Sequence, residues 1–499
     1  MGEANGLPNK LDVVIIGAGI SGLNAAYRIQ TELPDHSYSI LEARDSLGGT
    51  WDLFRYPGIR SDTDLHSFGF PWRPWDEQRL IADGPAILNY LKKSAAEAKI
   101  DRNVRYHHKV LSASWSTADQ RWDLTVAVDG ETSHIYAGAL VVGCGYYDYN
   151  NPLTAEIPGL GSFEGKVVHP QFWPEDLDYE GKKVVIVGSG ATAITLLPSM
   201  TDKAAHVTML QRSPTYILPL DNSGKSWLDW FLPRSLVFKI VRLQLITVPL
   251  LAYTFCRWFP RMARKWLRNE AVKRLGEDYP VDEHFKPFYD PWDQRLCFAP
   301  DGDFYDSIRS GKASVATGRI EKIGPDSIIL QSGEKLPADI IITATGLKLG
   351  IAGGIEFFVD DDGGGDPVNL AEKVLWRASW IQDVPNCAFV LGYTNASWTL
   401  GADTTAILFC RVLKMLRSRG LTSAVPRAAT RSGPMRTRPY FDLKSTYAQQ
   451  GAKAMPLTAD TGPWKPRTNY FWDLWKAKHA SIEDGLEFHR GSAVVKCHG

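Results

Sequence analysis

The sequence predicts an α/β protein with two Rossmann-like dinucleotide-binding domains and a helical insertion. Three observations predict it. Gly17-Ala-Gly-Ile-Ser-Gly22 follows an apolar run at residues 11–16, and Gly188-Ser-Gly-Ala-Thr-Ala193 follows another at 184–187. Between about residues 222 and 290 the composition shifts to Trp, Leu, Arg and Phe. At 499 residues the chain exceeds one ordinary core, and domains of about 100–200 residues make two or three units the expectation.

In the first unit, residues 11–16 are β-branched and apolar, and residues 23–29 begin a helix, so strand, glycine turn and helix come in order. Gly17 then permits the tight turn, Gly19 lets a pyrophosphate approach the backbone, and Gly22 lets helix and strand pack closely. Residues 39–42 supply the second strand. Glu42, about twenty residues past the turn, is placed to accept hydrogen bonds from ribose hydroxyls.

From Glu42 to Trp75 nothing is helix-periodic, and the density of glycine, proline and aromatics marks a functional loop rather than a disordered one. A helix is expected over 87–98, and the alternating runs 122–128 and 134–142 read as a hairpin-like pair of strands.

In the second unit Gly188 and Gly190 take the turn positions and Ala193 the close-packing one. Where the first unit has Glu42, this one ends its next strand with Arg212-Ser213. A cation there suits the 2′-phosphate of NADP, and the Ser213 hydroxyl adds a hydrogen bond; the alternative for Arg212 is a solvated strand-end arginine.

Residues 236–259 are largely apolar but interrupted by Lys239, Arg242, Pro249 and Arg257, which argues against a membrane span of about 20 apolar residues. Arg257, Arg261, Arg264, Lys265 and Arg268 follow at helical offsets beside Trp258, Phe259, Trp266 and Leu267. Residues 257–268 suit either a cap over the active site with a solvated basic face, which is preferred, or weak association with a membrane surface. Further on, 338–346 is a buried strand ending in small residues, 360–367 a surface turn without EF-hand spacing, and 405–416 an apolar helix. The tail from about Ser432 carries no usable motif.

Lys plus Arg equals Asp plus Glu at 56 each, so no global charge draws the chain to nucleic acid. The cysteines, Cys144, Cys256, Cys297, Cys387, Cys410 and Cys497, never approach a CxxC spacing, so no metal site or dithiol centre is expected. The first ten residues have no apolar targeting core, which makes the cytoplasm the expected compartment, with membrane association if 257–268 touches lipid.

Residues 163–174, FEGKVVHPQFWP, place Phe163, Gly165, His169, Trp173 and Pro174 between the two glycine turns. The stretch resembles the fingerprint of type I Baeyer–Villiger monooxygenases, class B flavoproteins that insert oxygen beside a ketone carbonyl. Gly48-Gly49-Thr50-Trp51, Tyr56-Pro57-Gly58 and Asp62 resemble the second signature of that family, and the ethionamide-activating bacterial type is nearest. The resemblance extends over about residues 11–406.

It implies that FAD takes the N-terminal unit, with Gly17, Gly19, Gly22, Glu42, Gly49, Thr50, Trp51 and Asp62 around it. NADPH takes the second unit, with Gly188, Gly190, Ala193, Arg212 and Ser213. The expected segments are 1–150 and 376–499 for the FAD domain, the latter including the tail, 151–221 and 291–375 for the NADP domain, and 222–290 for the helical cap. By its place in residues 292–297, WDQRLC, Arg295 matches the family's active-site arginine. Such a cation would keep a C4a-peroxyflavin anionic and stabilise the oxyanion of its carbonyl adduct, while Asp62 would hold the guanidinium. An interdomain ion pair and a turn residue are the structural alternatives for the two. Gln294 stands where many members carry Lys, so NADP preference rests more on Arg212. His169 is expected to transmit domain rotation, and Trp51 and Trp173 to pack or relay.

The expected activity is FAD- and NADPH-dependent insertion of one oxygen of O2 beside the carbonyl of an apolar ketone, giving an ester or lactone. S- or N-oxygenation of sulfides or amines is the alternative, against which Trp173-Pro174 and Asp62 argue. A disulfide reductase would need a cysteine pair near the flavin, and a membrane-surface redox sensor is the non-enzymatic rival.

Overall fold

The computed structural model describes residues 9–491 except 225, 361–364, 429–434 and 442–444; the N-terminal segment 1–8, part of the 360–367 turn and Cys497 lie outside the described residues. The first unit opens with β1 (Lys10–Ile16), α1 (Ile20–Glu32) and β2 (Tyr38–Leu41). Val13, Val14 and Ile15 are fully buried, as a parallel strand covered on both faces requires.

The sheet continues through β3 (Val104–Arg105), β4 (His108–Ser116), β5 (Arg121–Val128) and β6 (Glu131–Val142). β1 pairs in parallel with β2 and β6, and β2 with β3, while β4, β5 and β6 form an antiparallel meander. The expected hairpin is therefore β5 and β6. β6 is shared: residues 131–137 pair with β5, and 140–142 pair in parallel with Cys387–Phe389, so a distant segment returns to the same sheet.

The second unit is a five-stranded parallel sheet. β7 (Lys166–Val168), β8 (Lys183–Val187), α2 (Ala191–Met200) and β9 (His206–Gln211) precede two helices, α3 (Arg234–Trp258) and α4 (Pro260–Leu275); β10 (Ala313–Thr317) and β11 (Ile340–Thr343) follow them. The strand order is β10-β9-β8-β11-β7. Residues 163–174 thus begin at a sheet edge. A Cβ at Gly165 would come within 2.3 Å of the Asp339 carbonyl, so only glycine lets β7 sit that close. Beyond β7, His169 Nδ1 accepts the Gln171 N–H at 3.2 Å, and Gln171 Nε2 donates to the Asp148 carbonyl at 2.8 Å. The stretch is clipped to the chain leaving the first sheet, and Trp173 packs on the second unit's core.

Several local expectations change. The 42–75 loop contains single helical turns at Thr50–Leu53 and Leu65–Phe68, the latter capped by the Asp64 carboxylate; four residues are too few for periodicity to show. The interruptions in 236–259 do not break α3, which runs on through Pro249. By length and composition it could cross a membrane, although only a small part of it is buried. Arg242 anchors it, donating to the carbonyls of His66 and, at 3.0 Å, Gly69.

The expected 405–416 helix begins earlier, as α5 (Trp398–Ser418), because Gly401 packs against Gly392, where an added Cβ would lie 2.8 Å from the Gly392 Cα. Asp403 on α5 bonds Arg28 on α1 at 2.8 and 2.9 Å. The tail folds back onto this helix. Arg467 donates to Thr404 and Thr405 hydroxyls at 2.7 and 2.8 Å, and Leu486–His489 pairs with Ser423–Pro426.

Candidate active site

A cleft of about 1360 Å³ lies between the two units and α3. On the first unit's side, α1 starts at Gly19 with no side-chain cap and no acidic residue in its first turn. Its free N–H groups and positive dipole end are left for an anion. A Cβ at Gly22 would lie 1.9 Å from the Gly17 carbonyl, so this glycine packs helix on strand rather than lining the cleft. Gly19 approaches Gly49, which has φ +56°, and both border the cleft.

Glu42 is 7% exposed. One carboxylate oxygen accepts the Ala18 N–H at 2.7 Å and the other the Arg44 N–H at 3.0 Å, so Glu42 braces the glycine turn while bordering the cleft. A carboxylate has about four acceptor positions, which leaves capacity for ribose hydroxyls. Thr50 Oγ1 lies 3.0 Å from the Tyr149 hydroxyl, and Trp51 meets Phe68 edge-on at 5.7 Å. A helix start without a side-chain cap, a close glycine pair and a buried carboxylate fit the diphosphate and ribose of FAD.

Residues 55–64 cross to the second unit. A Cβ at Gly58, which has φ +71°, would lie 1.8 Å from Ser199 Oγ on α2. Burial pushes the Tyr56 phenol up to about 12, against a hydrogen bond with Thr192. Arg60 pairs with Asp303, and Asp62 Oδ2 accepts from Arg295 Nη1 at 2.8 Å. The loop is a strut between units, ending in the ion pair expected of Asp62 and Arg295.

Side-chain exposure is 33% for Arg295 and 48% for Asp62, and both border the cleft. Burial disfavours the Arg295 cation, but its acidic neighbours, Tyr146 first and then Asp62, Tyr447 and Tyr147, outweigh that cost and hold the group above the ordinary arginine value. The Tyr146 and Tyr147 hydroxyls are 2.9 Å apart, and Tyr146 stacks on Trp398 at 4.9 Å. Burial raises the Tyr149 phenol to about 12 and Tyr147 well above its usual value, so both remain neutral. This tyrosine cluster was not anticipated. The available signal was the run Tyr146-Tyr147-Asp148-Tyr149 directly after the strand-ending Gly143-Cys144-Gly145.

On the second unit, a Cβ at Gly188, which has φ +135°, would lie 2.2 Å from the Ala344 carbonyl. α2 starts at Gly190 without a side-chain cap, with Ala191 and Thr192 on the cleft wall and Ala193 fully buried beneath. The Gly188 N–H donates to the Leu210 carbonyl at 2.8 Å, which sets the turn beside the end of β9, where Arg212 is exposed and Ser213 half-buried. Gly188, Gly190, Arg212 and Ser213 therefore form a second group, outside the cleft wall that holds Glu42, Asp62 and Arg295. An uncapped helix beside a strand-end arginine fits the diphosphate and 2′-phosphate of NADPH.

Residues 81–351 match the family model described as flavin-binding monooxygenase-like, and residues 15–79 match an NAD(P)-binding Rossmann-like domain. The chain is 45% identical over 488 residues to the FAD-containing monooxygenase EthA of Mycolicibacterium smegmatis, covering 97% of this chain and 98% of that one. It is 40% identical over 491 residues to the probable FAD-binding monooxygenase AlmA of Acinetobacter baylyi, covering 97% of each. Among solved structures, an oxidized steroid monooxygenase bound to NADP superposes with a TM-score of 0.73 at 19% identity, over 97% of this chain and 100% of that one. The chain belongs to the flavin-binding monooxygenase family. It is an enzyme, a flavin-dependent monooxygenase on the two-dinucleotide α/β fold, and its cofactors are FAD and NADPH.

Proposed function

We propose that this monooxygenase inserts one oxygen of O2 beside the carbonyl of an apolar ketone, giving an ester or lactone. The observation that carries this is the Asp62–Arg295 pair facing the cleft between the two units. Bound FAD, reduced by NADPH, supplies dioxygen activation. Arg295 would present a fixed cation to negative charge gathering on the reacting oxygens, including the carbonyl oxygen as the carbonyl carbon becomes tetrahedral. Asp62 orients the guanidinium without approaching the substrate. Tyr146 and Tyr147 wall this corner of the cleft beside Arg295.

FAD is assigned to Gly17, Gly19, Gly22, Glu42, Gly49, Thr50 and Trp51 on 1–150 with 376–499, and NADPH to Gly188, Gly190, Ala193, Arg212 and Ser213 on 151–221 with 291–375. Residues 222–290 form the cap. Trp51, Trp292, Trp398, Leu245 and Pro249 give the cleft an apolar wall, which suits an apolar ketone or sulfide. Association of 257–268 with a membrane surface belongs to the same proposal.

The test supplies holoenzyme with NADPH, labelled dioxygen and compounds bearing both a ketone and a thioether, with products identified by mass spectrometry. Labelled ester or lactone, lost in Arg295→Ala, is expected. Sulfoxide as the sole product overturns the ketone assignment in favour of S-oxygenation.

A further inference from the structure

A helix on a protein surface normally turns its apolar stripe inward and its polar face to water. α3 is apolar on both faces. Leu245, Pro249, Ala252 and Cys256 line the cleft, whereas Leu236, Ile240, Leu243, Leu251, Phe255 and Trp258 recur at helical spacing on the outside and are exposed. Leu251 is 62% and Trp258 74% exposed. Trp230 and Phe231, at 86% and 77%, extend this face before α3, and Met262 and Trp266 extend it onto α4. Apolar surface of this extent calls for a partner.

The charge around it says which partner. Between Trp230 and Asn269 the sequence contains no Asp or Glu, while Lys and Arg occur eight times in a chain whose net charge is zero. Arg257, Arg264 and Arg268 are paired with Asp293, Asp290 and Asp282, and Arg242 is held by backbone carbonyls. Lys239, Arg261 and Lys265 are exposed and form no salt bridge among the described residues. A second copy docking on this face by two-fold symmetry would bring these cations against their own images. Anionic headgroups above an apolar layer match both features, and exposed tryptophans suit the boundary between them. Crossing the bilayer is disfavoured, because Arg242 ties α3 to the protein and one stripe of it faces the cleft.

We propose that the outer face of α3, flanked by Trp230, Phe231 and the start of α4, lies in the headgroup region of an anionic phospholipid bilayer. From there the enzyme draws a long-chain apolar substrate directly into the cleft past Val248 and Ala252. Val248 is both exposed and cleft-lining, so the helix has a rim where the two surfaces meet. The route for substrate rests on the monooxygenase reading; the docking does not.

Holoenzyme is floated with phosphatidylcholine vesicles with and without phosphatidylglycerol. Turnover is measured on a short water-soluble ketone and on a long-chain methyl ketone dissolved in the vesicles. Flotation with the anionic vesicles is expected. Lys239→Gln, Arg261→Gln and Lys265→Gln together lower vesicle partitioning on the order of a hundredfold, at roughly fivefold per cation. Leu243→Ser, Leu251→Ser and Trp258→Ser together lower it at least roughly tenfold, and cut turnover of the vesicle-borne ketone in step while FAD content and short-ketone turnover hold. Wild-type holoenzyme that stays with the soluble fraction overturns the docking, as does a dimer in sedimentation that the serine variant converts to monomer. Flotation with unchanged long-ketone turnover in the serine variant overturns the route. Flotation without oxygenation of any ketone leaves the docking in place and removes the ketone reading instead.

Discussion

Asp62→Asn and Arg295→Ala separate a group that acts on the substrate from one that acts through its neighbour. Asp62 contributes one charge-assisted hydrogen bond of 2.8 Å to Arg295. Such bonds are worth about 1.5–3 kcal/mol, and with Asp62 48% exposed the lower end applies, so Asp62→Asn loosens the guanidinium at a cost near 1.5 kcal/mol. At about 1.36 kcal/mol per decade this is about a tenfold loss of kcat/KM on a ketone. Arg295→Ala removes the cation itself, and loss of a transition-state donor costs about 2.7–4 kcal/mol, a factor of about 10²–10³. Because Asp62 works through Arg295, the double variant falls no further than Arg295→Ala alone, within about threefold. The assay is ester formation quantified against NADPH consumed, with hydrogen peroxide measured to detect unproductive turnover. The assignment is refuted if Asp62→Asn costs as much as Arg295→Ala, or if the two losses multiply in the double variant.

Three further outcomes follow from the same structure. Gly22→Ala drives a methyl to 1.9 Å from the Gly17 carbonyl; the helix must move off the strand, and purified protein is expected to lack FAD absorbance and melt well below wild type. Arg212→Ala is expected to raise KM for NADPH by about 10–100-fold, the worth of a charge-assisted phosphate contact, while KM for NADH holds; equal changes for both would detach Arg212 from the 2′-phosphate. His66 is buried beside α3 with neither ring nitrogen hydrogen-bonded, and burial, then the Arg242 charge, lower its pKa against an opposing pull from Asp229. The unfolded chain therefore binds this proton first, and stability is lost as pH falls from about 6.5 through the lower folded value. Melting temperatures of wild type and His66→Phe should diverge in slope across that window, and parallel curves would exclude His66 as the source.

The two glycine turns, their strands and helices, and the family were legible in the chain because each rests on local rules: short-range periodicity and a backbone that must pass close to something. Gly17 and Gly188 announced tight turns and Gly22 a close packing, but the Ala344 carbonyl against Gly188 could not be named from sequence, and Gly165 was legible only as a member of the 163–174 motif, not as the point where β7 meets the Asp339 carbonyl. Asp62 and Arg295 were legible only as members of a motif, since the fold brings together residues 233 positions apart.

What the tertiary structure alone decided is where surfaces meet. The return of Cys387–Phe389 to β6, the tail's Arg467 on α5, and the tyrosines around Arg295 come from contacts between remote segments, which leave no periodic trace. The same holds for α3. Sequence showed an apolar stretch with charges in it; only the packed chain shows one stripe of that stretch lining the cleft and another turned outward, because burial belongs to a residue's neighbours and not to the residue.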